Sequence, residues 1–120
     1  MSEHTEQAAF FAWCSANVWR HPELEYFYAI PNGGKRNIGT AMKLKAEGVK
    51  AGVLDTHLPV KRGAFIGLWI EFKYGKKKMT PAQKRWSAWL RKQGHYVDVC
   101  YTWKRAAEVT LEYLALDEEL

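Results

Sequence analysis

Cysteine is nearly absent: the 120-residue chain has only Cys14 and Cys100. Two thiols so far apart in sequence make neither a disulfide framework nor a zinc ribbon, and they read as buried thiols in a reducing interior. No apolar run approaches the length of a membrane span, and no basic stretch followed by an apolar one opens the chain, so cytoplasm rather than membrane is expected. Internal repeats, low-complexity tracts and Ser/Pro-rich linkers are also missing, which predicts a single domain over residues 1–120. The four histidines fall into no HExxH or Cys/His pattern, which excludes a zinc hydrolase of those types. No organic cofactor is expected.

Acidic residues are scarce in the middle of the chain. Residues 35–92 hold 15 Lys or Arg against three acids, Glu47, Asp55 and Glu71, while both flanking segments are net acidic. A basic stretch of this kind attracts a polyanion, DNA or RNA, through phosphate contacts and counterion release. Lys76, Lys77 and Lys78 are the foremost phosphate contacts predicted, followed by Lys35, Arg36, Lys61 and Arg62. Aromatics are plentiful, with six Trp, six Tyr and five Phe. Each ring stabilises a fold only by leaving water, so the chain should be globular.

Hydrophobic periodicity predicts a helix over residues 3–19, with Glu6, Phe10 and Cys14 in one i, i+4 row, which places Glu6 on the buried side. An aromatic strand over residues 25–30 should end at Pro31-Asn32-Gly33-Gly34, a sequence of strong turn formers. Residues 37–47 read as a helix closed by Gly48. Strands over residues 51–60 and 64–74 would flank a Lys61-Arg62-Gly63 turn. Thr80-Pro81-Ala82-Gln83 opens the next helix by the capping-box pattern, and Gly94 closes it. A strand over residues 96–102 and a last helix to residue 116, with Ala107, Leu111 and Leu114 on one side, complete the chain. The expected order is αβαββαβα, an α/β sandwich around a central mixed sheet.

In the second strand of the hairpin, Leu68, Ile70, Phe72 and Tyr74 alternate with Gly67, Trp69, Glu71 and Lys73, so Glu71 and Lys73 share one face. With the turn centred on Gly63, facing residue numbers sum to 126. Asp55 then stands directly opposite Glu71, with Cβ atoms roughly 5 Å apart. Two carboxylates so placed repel unless a proton or cation lies between them. Oxygen ligands on a rigid sheet suit Mg²⁺ or Mn²⁺, which lower the pKa of a bound water and hold phosphate oxygens. Lys73 would sit beside that water or the charge developing on the phosphate. A Glu-x-Lys strand alone is an ordinary exposed ion pair; the facing Asp and the basic surroundings give it chemical meaning.

These segments, Gly48-Val49-Lys50-Ala51-Gly52-Val53-Leu54-Asp55, Gly67-Leu68-Trp69-Ile70-Glu71-Phe72-Lys73 and Thr80-Pro81-Ala82-Gln83, resemble the VRR-NUC domain, a branch of the PD-(D/E)xK nuclease superfamily. The resemblance spans nearly the whole chain and is closest to stand-alone phage and prophage members. It implies a restriction-endonuclease-like fold and a Mg²⁺- or Mn²⁺-dependent DNA endonuclease. Asp55, Glu71 and the Phe72 main-chain carbonyl would be metal ligands, Glu6 would complete the shell, and Lys73 would be catalytic. It further implies action on branched DNA, four-way (Holliday) junctions in particular, by a homodimer. Gln83 matches a family position near the site, and its capping-box role explains it equally well. Where the family has Pro before the first acid, this chain has Leu54.

Other readings stay open on the residues. The protein could be a non-catalytic basic nucleic-acid-binding module, or a nuclease for flaps or nicked duplex. Trp86, Trp89 and Leu90 lie at helical spacing and are expected in the core. Trp69 is expected in the core or at a dimer contact, and His57 is expected to be structural.

Overall fold

The structure is a computed structural model that describes residues 2–31 and 37–118. Its order is α1 (Glu3–Asn17), β1 (Tyr28–Ala29), α2 (Ile38–Ala46), β2 (Thr56–Leu58), β3 (Leu68–Phe72), α3 (Pro81–Lys92), β4 (Tyr96–Cys100) and α4 (Trp103–Leu114). The αβαββαβα order is the one expected. The sheet runs β1-β2-β3-β4, with the first two pairings antiparallel and β3–β4 parallel. It is therefore mixed, with α3 as the connection that parallel neighbours require.

Every residue of β3 is buried, because both faces of the sheet are covered. Leu68, Ile70 and Phe72 point into a core shared with Phe10 and Cys14 of α1 and Ala106, Val109 and Tyr113 of α4. Phe10 lies 5.6 Å from Phe72 and 5.1 Å from Phe27, ring centre to ring centre. Burying each such ring contributes roughly 1.5–3 kcal/mol. The other face carries Trp69, Leu54, Val97 and Leu90, the last from α3. The expected row of Glu6, Phe10 and Cys14 is the buried face of α1. Both thiols lie in the first core, and burial pushes each up to about 12, which makes them inert.

Three elements differ from expectation. Residues 25–30 are not one strand: Pro22–Tyr26 winds into a 3-10 turn that buries Leu24, and only Tyr28–Ala29 pairs. Pro22, with φ fixed, starts that turn. The hairpin strands are short, because residues 49–54 cross the first turn of α3 as a loop. There Gly52 has φ +87°, and an added Cβ would lie 2.6 Å from the Ala82 Cβ; only glycine permits both. On α4 the buried residues are Ala106, Ala107, Val109, Thr110 and Tyr113, while Leu111 is exposed. Thr110 returns its hydroxyl to the Ala106 carbonyl (2.8 Å), and the Tyr113 hydroxyl donates to the Val60 carbonyl (2.6 Å). Polar side chains satisfied in this way can face the core.

Candidate active site

The register is the one the sequence predicts: Thr56 faces Ile70, His57 faces Trp69 and Leu58 faces Leu68. Each pair sums to 126. Nearer the turn, Arg62 bridges Phe65, one position out of step. A tight turn at Pro59, with the Val60 N–H on the Leu58 carbonyl (2.9 Å), absorbs the extra residue before the shift can reach the site.

One step beyond the ladder, Asp55 and Glu71 interlock. The Asp55 N–H donates to Glu71 Oε1 (3.0 Å), and the Phe72 N–H donates to Asp55 Oδ2 (2.8 Å). Each carboxylate is thus aimed by a main-chain donor of the opposite strand. Glu71 is 1% exposed; burial, then the facing Asp55, pushes it up to about 8. Asp55 is also raised, chiefly by burial. Lys73, itself buried, places Nζ 3.4 Å from Glu71 Oε2.

Gln83 joins the same oxygen: its Nε2 donates to Glu71 Oε2 at 2.9 Å. Its Oε1 accepts from the Thr80 N–H (2.9 Å) while the Gln83 N–H donates to Thr80 Oγ1 (3.2 Å). Gln83 thus closes the capping box with one end of its amide and touches Glu71 with the other. A carboxylate at one end and an N–H at the other also fix which way round the amide lies. The helix cap and the carboxylate pair are mechanically one unit.

The Phe72 carbonyl is placed by its peptide. The Lys73 N–H donates away from the site, to the Cys100 carbonyl on β4 (3.0 Å). A trans peptide points its carbonyl the other way, so the Phe72 carbonyl faces the Asp55 side. Glu6 is buried as expected, but its Oε1 accepts from the Trp103 N–H (2.8 Å) at the start of α4. Among the described residues no three His, Cys, Asp or Glu side chains group to hold a metal. Asp55 and Glu71 stand as a pair, and Glu6 is committed to α4.

The basic residues divide by position. Lys76, Lys77 and Lys78 are exposed directly beyond β3, on a turn pinned by the Tyr101 hydroxyl on the Lys77 carbonyl (2.7 Å). Lys77 also faces Glu3 across 3.7 Å. Lys61 is exposed at the closed end of the hairpin, at most about 20 Å from Asp55 at ~3.3 Å per residue. Arg62 beside it is buried, with its guanidinium on Glu23 and on the Leu114 carbonyl. It ties the turn to α4, which takes it out of the phosphate-contact set. Lys35 and Arg36, with the Asn32-Gly33-Gly34 turn, lie outside the described residues.

No family model and no curated protein matches the chain. Among solved structures it is similar to one described as a VRR_NUC domain protein, with 30% identity over 98% of this chain and 92% of that one, at a TM-score of 0.84. The chain belongs to the VRR_NUC family. It is accordingly a nuclease-type domain with a restriction-endonuclease-like fold, and its substrate is a nucleic acid. No described helix is long and apolar enough to cross a membrane. At the position where family resemblance leads one to expect Pro, this VRR_NUC chain has Leu54, which is fully buried against Trp69, Leu90 and Val97. There the apolar side chain takes up packing while Asp55 keeps its register.

Trp69 and His57, both weighed from the sequence, belong to a row of rings beside the pair that also takes in Tyr28 and His95, which the sequence did not single out. Trp69 stacks on His57 (4.2 Å between centres, 14° between planes), and its Nε1 donates to His95 Nδ1 (3.0 Å). The Tyr28 hydroxyl bonds His57 Nδ1 (2.7 Å). Burial, with His95 nearby, lowers His57 to about 4, and burial also lowers His95. The two imidazoles and the indole make a packed floor next to Glu71. The spacing His57, Trp69, Glu71 along two paired strands carried that signal, and it depended on the register. Trp89, expected in the core, is 57% exposed.

Proposed function

We propose that this protein is a metal-dependent, structure-selective DNA endonuclease, with branched DNA as its substrate and four-way junctions foremost. The observation that carries the reading is the pair of opposed carboxylates, half-buried Asp55 and buried Glu71, with Lys73 on one of them. Burial raises both pKa values, and the facing Asp55 raises that of Glu71 further; a cation between the two carboxylates would relieve the cost of charging them there. The donors are all hard oxygens on a rigid sheet, so the residues fit Mg²⁺ or Mn²⁺. Asp55, Glu71 and the Phe72 carbonyl would hold the ion, and Glu6 keeps α1 seated on α4 rather than serving as a direct ligand. When bound, the ion supplies Lewis-acid polarisation of the phosphate and a water of lowered pKa.

The chain's own groups do the rest. Main-chain N–H groups of Asp55 and Phe72 hold the carboxylates in place, and Gln83 fixes the outer oxygen of Glu71. Lys73 offers its ammonium to the negative charge that develops on the scissile phosphate. Lys76, Lys77 and Lys78 hold the flanking backbone by phosphate contacts. Paired cuts across a junction need two sites related by a two-fold axis, which favours a homodimer as the working unit. A protein of this type would work in the cytoplasm, where its DNA is.

End-labelled four-way junctions, flaps, nicked duplex, intact duplex and single strands, each incubated with Mg²⁺, Mn²⁺ or EDTA, test the proposal. Symmetric metal-dependent cuts near the branch point support it in full. Cuts confined to flaps or nicks would overturn the junction preference, and binding without cleavage of any substrate would overturn the enzyme.

A further inference from the structure

Helix α3 turns Ser87 and Leu90 into the sheet. Helical spacing then leaves Arg85 and Trp89, i and i+4, as neighbours on the outer flank, with Trp86 between the two faces. These three residues line an open groove of about 200 Å³. Trp86 is anchored, since its Nε1 donates to the Ala51 carbonyl (3.2 Å) and its ring packs against the Leu54–Trp69–Leu90–Val97 cluster. Trp89 stands free at 57% exposure. An exposed indole on so polar a helix contributes little to folding, so its surroundings indicate what covers it.

Those surroundings are cationic. Within α3 stand Lys84, Arg85, Arg91 and Lys92 without one acid, and Lys76, Lys77 and Lys78 precede it. A second copy of the chain seated here would set this cationic helix against itself. The groove is smaller than the 300–1,000 Å³ typical of drug-sized ligands, yet it offers indole faces and a guanidinium, the components that stack bases in single-strand binders. Gln83, which touches Glu71, lies two to six residues before the groove on the same helix, roughly 3–9 Å along the axis; at about 100° per residue it is about 60° round the helix from Trp86 and about 120–160° from Trp89 and Arg85, so a strand leaving the carboxylate pair crosses α3 to reach the groove.

We infer that the Arg85–Trp86–Trp89 groove stacks one unpaired nucleobase of the DNA strand that flanks the cut site. This rests on the nuclease reading and adds to it a preference for DNA with an unpaired nucleotide beside the scissile phosphate. Arg85 serves the adjacent phosphate, Trp86 is the fixed wall, and Trp89 is the side chain that closes on the base.

Fluorescence anisotropy in EDTA, so that nothing is cut, tests this with Trp89→Ala and Trp89→Phe. The DNAs are a duplex bearing a short single-stranded arm, the same DNA with abasic arm positions, and the fully paired duplex. Removal of one stacking partner should weaken binding of the armed duplex by Trp89→Ala roughly 5-fold to 100-fold. The paired duplex should change less than about 2-fold, Trp89→Phe should retain most of the affinity, and the abasic arm should erase the difference between variant and wild type. Equal weakening on all three DNAs would overturn the inference, as would unchanged affinity, or a dimer-to-monomer shift in gel filtration without any DNA effect. Cleavage by the wild type is scored separately. Arm-selective binding that depends on Trp89 without cleavage would sink the nuclease reading alone, and cleavage with no dependence on Trp89 would sink this inference alone.

Discussion

Gln83 links the start of α3 to the carboxylate pair, and replacing it in two ways separates the links. Gln83→Ala removes both. The Thr80 N–H is exposed and water can replace its partner, so that loss should cost only about 0.5 kcal/mol. The Glu71 side is different: this carboxyl is 1% exposed, and the 2.9 Å bond from Gln83 has no solvent substitute. Above pH 8, where Glu71 is ionised, a hydrogen bond to it is worth roughly 1.5–3 kcal/mol, so the alanine variant should lose about 2–3.5 kcal/mol there in EDTA. Gln83→Glu keeps an acceptor for Thr80 and places an acid in the first helical turn, which gains about 0.3–1 kcal/mol from the helix dipole. Above pH 8, where Glu71 is ionised, it also replaces the donor to Glu71 by a like charge, so a net loss of about 1–2 kcal/mol is expected there without metal. Mg²⁺ should restore the glutamate variant and leave the alanine variant impaired. Urea unfolding followed by circular dichroism, with EDTA and with Mg²⁺, reads all of this. A glutamate variant as stable as wild type in EDTA above pH 8 would refute the argument, since the ionised Glu71 would then not depend on the amide of Gln83.

The raised pKa of Glu71 has a definite sign. A carboxyl whose folded pKa lies near 8 against an ordinary 4.5 holds its proton in the native state, so metal-free stability should fall as pH rises between those values. Glu71→Gln should flatten that fall, and an unchanged pH profile in the variant would contradict the burial argument. Arg62→Ala should cost about 1–3 kcal/mol by leaving Glu23 and the Leu114 carbonyl without their partner, while the salt dependence of DNA binding stays the same. The triple change Lys76→Ala, Lys77→Ala and Lys78→Ala should do the reverse, reducing the salt slope by about 0.9 for each phosphate no longer neutralised; a slope altered by Arg62→Ala would reverse the two assignments. Gly52→Ala should cost more than about 2 kcal/mol, from φ +87° and the 2.6 Å approach to Ala82, and should slow cleavage by moving the segment that carries Asp55. A stable, fully active Gly52→Ala would show that this crossing does not place Asp55.

The part of the site written in local pattern was legible in the chain itself. Period-two alternation in β3 and a glycine at the turn sufficed to set Asp55 against Glu71, because a one-residue slip would have turned Leu68, Ile70 and Phe72 away from the core. The turn itself was misplaced by one residue, and Pro59 absorbed the slip, which no pattern of apolar residues reports. On α4 Ala107 and Leu114 pack as expected but Leu111 does not; Thr110 and Tyr113, which share the buried face, look polar until the carbonyls they bond, Ala106 and Val60, are known. Trp89 was misread for the opposite reason. Its apolar character suggested the core, but Leu90 and Ser87 had already taken the direction facing the sheet. Arg62 counted toward a basic surface until Glu23, remote in sequence, was seen beside it. Gln83 shows the middle case: its capping box was legible, and its bond to Glu71 needed the tertiary fold.

The central claim is that Asp55, Glu71 and Lys73 form a phosphodiester-cleaving centre, and single-turnover cleavage by Asp55→Asn and Lys73→Met tests it most directly. Both variants should melt within a few degrees of wild type and bind labelled junction DNA with unchanged affinity in EDTA. Their cleavage rates in Mg²⁺ or Mn²⁺ should drop by at least about 100-fold, the scale of losing one group that stabilises developing charge. Folded, DNA-binding variants that cut at the wild-type rate would contradict the account.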